Sequence, residues 1–245
     1  MARKPRAKES RSLSGEAYDR LESMIVSTEL APGAKFTLQR LQEASGFGRT
    51  PVLDAVKRLA SNRLIIVNPR SGLRIAPVDL AQERTLLSLR IEMEVIACGL
   101  ASERATSHDH MVFRQFIRDL ESAEENLSLD QFNITDRLLN RAIIAASREP
   151  LLENTLMPLQ TLYRRTGWLF HNYVAMTPSL STTIKNHILL LRAILTGDRG
   201  ETVTFVRKMI SEVYDLLDQV RQKVDPLVLD AGLADLKVHT GLSAS

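Results

Sequence analysis

One cysteine in 245 residues excludes two designs at once. Cys98 alone can neither close an internal disulfide nor build a thiolate-rich metal cluster. Its neighbours Val95, Ile96, Ala97, Gly99 and Leu100 mark a buried helix position instead. No run of 18 apolar residues occurs, so no membrane-spanning segment is expected. The chain has no HExxH, no GxSxG, no phosphate loop and no internal repeat. His108 and His110 flank Asp109, but they fall at an inter-helix boundary and read as surface. Without a reactive constellation, the expectation is a protein that is not an enzyme. The opening MARKPRAKESRS is basic and leads into a charged amphipathic segment rather than an apolar signal core, which points to the cytoplasm.

What is present is ordinary in amount and uneven in place. Apolar residues make up 44% and charged residues 25%, enough for one or two domains with a substantial core. Residues 1–75 carry 14 Lys/Arg against 7 Asp/Glu, whereas residues 76–245 carry 18 against 22. The formal charge of +3 therefore hides a basic first third and an acidic remainder. Such a split fits one module that meets a polyanion and another that does not. Residues 1–11, with five Lys/Arg and one Glu, read as a disordered basic arm, either groove-seeking or merely solubilising.

The stretch Thr37–Arg63 organises the rest. Leu38 and Leu41 mark the face of one short helix. Val52, Ala55, Val56 and Leu59 give a second helix an i, i+3, i+4, i+7 stripe. Between them, Ser45-Gly46-Phe47-Gly48 allows a sharp turn, the pattern of a helix-turn-helix. An earlier helix is expected over about residues 15–27, capped by Ser14, with Tyr18, Leu21, Met24 and Ile25 inward and a Pro32-Gly33 turn after it. Downstream, Leu64–Val67 and Leu73–Ala76 read as a β-hairpin turned by Asn68-Pro69-Arg70-Ser71-Gly72, which makes the module a winged helix. Arg49, at the start of the second helix, is the leading base-reading candidate, because arginine pairs bidentately with a guanine edge. Thr50 either contacts DNA or caps the helix ahead of Pro51. Leu53 points either to a thymine methyl or into the core. Arg40, Lys57, Arg58, Arg70 and Arg74 suit phosphate contacts, and Gly72 permits close approach at the wing tip.

From about Leu80 onward the pattern is helical throughout: 80–105, a segment about Val112–Leu120, 130–146, 151–175 with Pro158 inside and Thr177-Pro178 at its end, 180–196, and a final long helix along Val203, Val206, Ile210, Val213, Leu217, Val220 and Val224. That last line suits bundle core or a dimer seam. Within these helices Asp136 and Asn140 share a face, and His187 sits among Ile188, Leu190 and Leu191. Arg90, Glu92, Glu94, Arg164, Arg165, His171, Asn172 and Tyr173 are further polar candidates for a cavity. Met209 reads as core by default.

The segment Thr37–Leu59, with Arg49-Thr50-Pro51-Val52 and the upstream Ala31-Pro32-Gly33, resembles the winged-helix domain of GntR-family bacterial transcription regulators. The helical remainder is similar to the ligand-sensing domain of the FadR-like subfamily, carried by 89–105, 136–146 and Asn186-His187 through Gly197-Asp198. The resemblance covers about residues 12–223. It implies a mainly α chain with an N-terminal winged helix-turn-helix and a C-terminal all-α antiparallel helical bundle. The corresponding boundaries are a basic arm at 1–11, a DNA-binding domain at 12–78, an effector-binding and dimerisation domain at 79–224, and an irregular tail at 225–245.

By the same resemblance the protein is a homodimeric repressor, released from an inverted-repeat operator by a small carboxylate effector. Effector residues would be Arg90, Asp136, Asn140, His187 and Met209. Many members hold a divalent metal with an aspartate, a histidine four residues later and two further histidines. Here those positions are Asp136, Asn140, His187 and Met209, or Glu212 if the last helix is shifted by a turn. Two good ligands make a poor metal site. The expectation is therefore no tightly bound metal, with Asp136 and His187 the ligands of any low-occupancy divalent ion. The family's frequent arginine one turn into the recognition helix is Leu53 here, which implies a different base preference. Two other classes compete: a constitutive DNA-binding protein with a vestigial sensor, and a helical enzyme fused to a DNA-binding module.

Overall fold

The computed structural model describes residues 12–69, 72–123, 127–175 and 180–234. The chain divides into two units, one of residues 1–77 with 230–245 and one of Val78–Leu229. The basic arm, Arg70 at the wing tip, the Thr177-Pro178 break and residues 235–245 lie outside the described residues.

The first unit is three helices and a small sheet. Helix α1 runs Leu13–Val26 and starts earlier than expected, because the Ser12 side chain, not that of Ser14, accepts the first-turn N–H of Gly15. The Ser14 hydroxyl instead donates to Asp54, at 3.4 Å. Helix α2, Leu38–Ser45, is capped by Thr37 and closed by Gly46 in the left-handed region. Eight residues are too few to hold a helix in water. Burial of Leu41 against the core, worth about 1.5–3 kcal/mol, is what keeps it. Helix α3, Arg49–Ser61, buries Val52, Ala55, Val56 and Leu59, the predicted stripe, and packs on α1.

Strands β1 (Lys35–Phe36), β2 (Ile65–Asn68) and β3 (Gly72–Ile75) form an antiparallel sheet in the order β1-β3-β2. The hairpin β2–β3 pairs Ile65 with Ile75 and Asn68 with Gly72. The two-residue β1 was not foreseen, since it exists only by pairing Lys35 with Arg74 and Phe36 with Leu73.

The second unit is all helical: α4 Leu80–Arg104, α5 Ser107–Ala123, α6 Leu129–Ser147, α7 Leu151–Tyr173, α8 Ser181–Thr196, α9 Arg199–Ser211, α10 Val213–Lys223 and α11 Pro226–Leu229. Its caps match the composition at each end. Ser128 and Gln131 form a capping box, Asp79 and Asp198 cap α4 and α9, and Gly197 closes α8 with a φ of 75°. The final helix expected over 203–224 is two helices, interrupted at Glu212, which ends α9 and begins α10. Along the predicted line Val206, Ile210, Leu217, Val220 and Val224 are buried, so within the chain it serves as core. Val206, Ile210 and Leu217 join Leu87, Ile91, Cys98, Phe113, Leu139, Ile143, Leu191 and Ile194 in the main cluster, whereas Val220 and Val224 pack with Val174 in a smaller one. Among the described residues no helix is long and apolar enough to cross a membrane.

Candidate DNA-reading face and effector cavity

Because α3 turns its apolar stripe inward, its opposite face is set by geometry. Arg49, Thr50, Leu53 and Lys57 are exposed on that face, at the spacing of successive helical turns. Leu53, 37% exposed, is therefore a surface residue and not core. Thr50 does not cap the helix; Gly48 holds the cap position without a side-chain bond. Arg58 lies over the Tyr18 ring at 4.2 Å from its centroid, and Asn62 donates to the Tyr18 hydroxyl, so α1 fixes the end of α3. Arg40 is exposed on α2, with its guanidinium 5.9 Å from the Phe36 ring centroid. Lys57 faces Asp54 at 3.7 Å, a loose surface pair worth little. Gly72 takes a φ of +84°, and a Cβ there would stand 3.2 Å from the Phe36 carbonyl, so the wing needs glycine at this point. Arg74 departs from expectation. Instead of lying free for phosphate, it binds Asp230 at 2.6 Å and the Gly33 carbonyl at 3.0 Å.

The helical unit bears a half-open cavity of about 720 Å³. Arg90 of α4, His171 of α7, Thr183 and His187 of α8, Met209 of α9 and Leu216 of α10 contribute to its wall. Of the five expected effector residues, Arg90, His187 and Met209 line it. Asp136 stands behind His187, and Asn140 is buried on α6 and is not part of the wall.

Arg90 is held from two sides. Its Nε donates to Glu94 at 3.3 Å, Glu94 accepts from Gln160 at 3.0 Å, and the Tyr163 ring lies 4.7 Å from the guanidinium. With Nε spent on Glu94, its Nη groups are the donors it offers to a guest, and a fixed guanidinium fork suits a carboxylate. Gln160 and Tyr163 had no sequence signal, because they act through α7 from some seventy residues away. Glu92, by contrast, is exposed and pairs with Arg207 across α4 and α9. Asn172 and Tyr173 are exposed, while Arg165 pairs with Glu83 inside the bundle.

His187 spends both ring nitrogens on the protein. Nδ1 lies 2.7 Å from the Thr183 carbonyl and Nε2 lies 3.0 Å from Asp136 Oδ1, with the Phe132 ring edge-on at 5.3 Å. The Thr183 carbonyl accepts from Nδ1, and a second proton on Nε2 would pair the ring, then charged, with the Asp136 carboxylate. Burial opposes that charge, but the hydrogen bond and charge of Asp136 and the Thr183 carbonyl outweigh it and raise the His187 pKa. For Asp136, burial would raise the value. The hydrogen bond and charge of His187, then Arg164 at 3.9 Å and Arg90, win and hold the carboxyl below its usual range.

A metal ion at His187 would have to displace the proton shared between Nε2 and Asp136. Asn140 is a weak ligand and the Met209 thioether suits hard divalent ions poorly. Among the described residues no three His, Cys, Asp or Glu gather to hold a metal ion. The residues present do not fit the family's metal.

Among the described residues that line the cavity, His171 stands out as unsatisfied. His171 Nδ1 is buried and has no hydrogen-bond partner, and burial lowers the pKa of its ring. A neutral imidazole at the cavity wall is a ready partner for a polar guest atom.

Comparison with known proteins accounts for both units. Residues 13–75 match the model of the bacterial regulatory proteins of the gntR family, and residues 85–212 match the FCD domain. The HTH-type transcriptional regulator McbR of Escherichia coli is 30% identical over 190 residues, 77% of this chain and 85% of that protein. The HTH-type transcriptional repressor RspR of the same organism is 22% identical over 208 residues, 85% of this chain and 90% of that one. Among solved structures, E. coli McbR/YncC superposes with a TM-score of 0.72 at 26% identity, covering 85% of this chain and 98% of that one. The chain belongs to the GntR family of bacterial transcription regulators, with an N-terminal winged-helix DNA-binding domain and a C-terminal FCD domain.

Proposed function

We propose that this regulator is FadR-like in use: a cytoplasmic homodimeric repressor that leaves an inverted-repeat operator when a small carboxylate enters the helical unit. The observation that carries this reading is Arg90, clamped by Glu94 and Tyr163 at the wall of a 720 Å³ cavity beside the Asp136–His187 pair. An anchored guanidinium over a part-apolar chamber is how proteins recognise an organic acid. A vestigial sensor would have closed over its core, and the cavity weighs against that alternative. The metal-dependent alternative is weakened by Asn140 and Met209, poor donors at two of its four expected positions. At the DNA, Arg49 reads a base edge and Arg40, Lys57, Arg58 and Arg70 meet phosphates. Leu53 sets the base preference apart from relatives with arginine there. Twofold symmetry of the dimer implies half-sites about one helical turn apart.

The test is native mass spectrometry of the intact protein with a panel of small mono- and dicarboxylates, with and without chelator. It is paired with mobility shifts on duplexes that the protein selects from a random library. The expected result is a dimer that takes one carboxylate per chain, indifferent to chelator, and releases its DNA. A carboxylate that saturates the protein yet leaves DNA affinity unchanged would end the sensor reading. One divalent ion per chain would end the metal-free one.

A further inference from the structure

The residues after α11 read from sequence as an irregular tail, yet Asp230–Ala234 are built into the DNA-reading unit. Asp230 Oδ1 accepts from Arg74 Nη2 at 2.6 Å and from the Gly232 N–H at 2.9 Å. The Ala231 N–H donates to the Pro32 carbonyl at 2.8 Å. Arg74 Nε reaches the Gly33 carbonyl at 3.0 Å, while the Gly33 N–H and the Ile75 carbonyl join at 3.0 Å. Two glycines make this closeness feasible. At Gly33, whose φ is +78°, a Cβ would lie 1.9 Å from Asp230 Oδ1 and 2.9 Å from the Ala231 nitrogen. At Gly232 it would lie 2.5 Å from Arg74 Nη2. The Arg74 and Asp230 side chains are 29% and 23% exposed, so the pair is shielded enough to hold its geometry.

We propose that residues 230–234 are a strap that positions the wing. They fasten β3 and the Pro32–Gly33 turn, and they commit Arg74 to that fastening rather than to a phosphate. Arg74 and Asp230 are thus positioning residues for DNA reading. The strap also gives the cavity a covalent route to the wing. Leu216, Gln219 and Lys223 of α10 line the cavity, and only residues 224–229 separate α10 from Asp230. This second role rests on the effector reading of the cavity; the positioning role does not.

The experiment needs no effector. The full chain is compared with a chain stopped after Ala234, a chain stopped after Leu229, and the near-isosteric Asp230→Asn and Arg74→Gln variants. Hydrogen exchange followed by mass spectrometry reads residues 32–36 and β3. Binding to library-selected duplexes is measured across a salt series. The chain stopped after Ala234 should behave as the full chain. The stop after Leu229 and Asp230→Asn should speed exchange at Gly33 and in β3 at least tenfold, leave α4–α8 unchanged, and weaken DNA binding at least fivefold. Arg74→Gln should weaken binding without altering the salt slope, whereas loss of a phosphate contact lowers that slope by about one.

Unchanged exchange in the chain stopped after Leu229 would overturn the proposal. So would a slope reduced by about one in Arg74→Gln. Tighter binding by Asp230→Asn would overturn it too, because Arg74 would then have been withheld from phosphate rather than used to place the wing. None of these outcomes depends on what the cavity binds.

Discussion

Arg165 has the largest fully buried side chain, at 1% exposure, and its counter-charge Glu83 is 2% exposed. A buried pair of this kind is costly to desolvate and more costly to break. Burial pushes the Glu83 carboxyl up to about 7, against the charge of Arg165 and hydrogen bonds from Thr166 and Arg165. The folded value lies above the unfolded one of 4.5. Glu83 therefore contributes stability that is fully present below pH 4.5 and is lost as the pH rises through 7. At 1.36 kcal/mol per unit the loss is limited to roughly 3 kcal/mol. His187 has the same sign in a later window. Its raised value means stability present below pH 6.5 and lost as the pH climbs past its folded pKa. Urea unfolding followed through Trp168 on α7 should show falling stability from pH 4.5 to 7. Glu83→Gln, which mimics the neutral acid, should cost little at pH 5 and flatten that fall. A Glu83→Gln protein with the parent's slope would remove Glu83 as its source.

At the scale of elements, the turn between α2 and α3 isolates one contribution. Gly46 takes a φ of +77°, and a Cβ added there would meet nothing within 4 Å. Gly46→Ala should therefore cost only the left-handed backbone strain, about 1–2 kcal/mol, and Gly46→Asn less. Exchange of the α2 and α3 amides measures it, and equal losses for Ala and Asn would count against a purely conformational cause. The same local chemistry explains which elements were legible. The turn, the inward stripe of α3 and the glycine stop of α8 are written within a few residues of themselves. Strand β1 was not legible, because two residues become a strand only when β3 arrives beside them. The break at Glu212 escaped because its apolar line continues across it, and the start of α1 because Ser12 and Ser14 are equally good caps on paper. In the cavity, the Asp136–His187 pair was suggested by resemblance alone, since 51 positions separate the partners. The clamp on Arg90 was legible only in part. Glu94 lies one turn along α4, but Gln160 and Tyr163 reach it only after α7 has packed.

The whole molecule joins a basic DNA-reading unit to a helical unit with a cavity, and the chain passes between the two at residues 77–78 and 229–230. If a carboxylate weakens operator binding by some factor, the operator must weaken carboxylate binding by that same factor, because both are one coupling free energy. Allosteric couplings typically amount to about 1–3 kcal/mol, or roughly 5–150-fold. Arg90→Ala separates recognition from coupling. Arg90 lies in the helical unit and belongs to none of the residues expected at DNA. Its loss should weaken the carboxylate found by the panel by 10- to 100-fold, consistent with removing a charge-assisted bidentate contact. Operator affinity without ligand should stay within about twofold. At saturating carboxylate the variant should still release DNA to the parent's extent, since the two states still differ in what they bind. Calorimetric titration of carboxylate into the free protein and into its operator complex gives the factor from one side. Operator titration with and without carboxylate gives it from the other. The two must agree whatever the mechanism, so agreement checks the measurements, and a factor well above one in parent and variant alike is what the sensor reading requires. A factor of one, with carboxylate bound equally by the free protein and by its operator complex, would end the sensor reading.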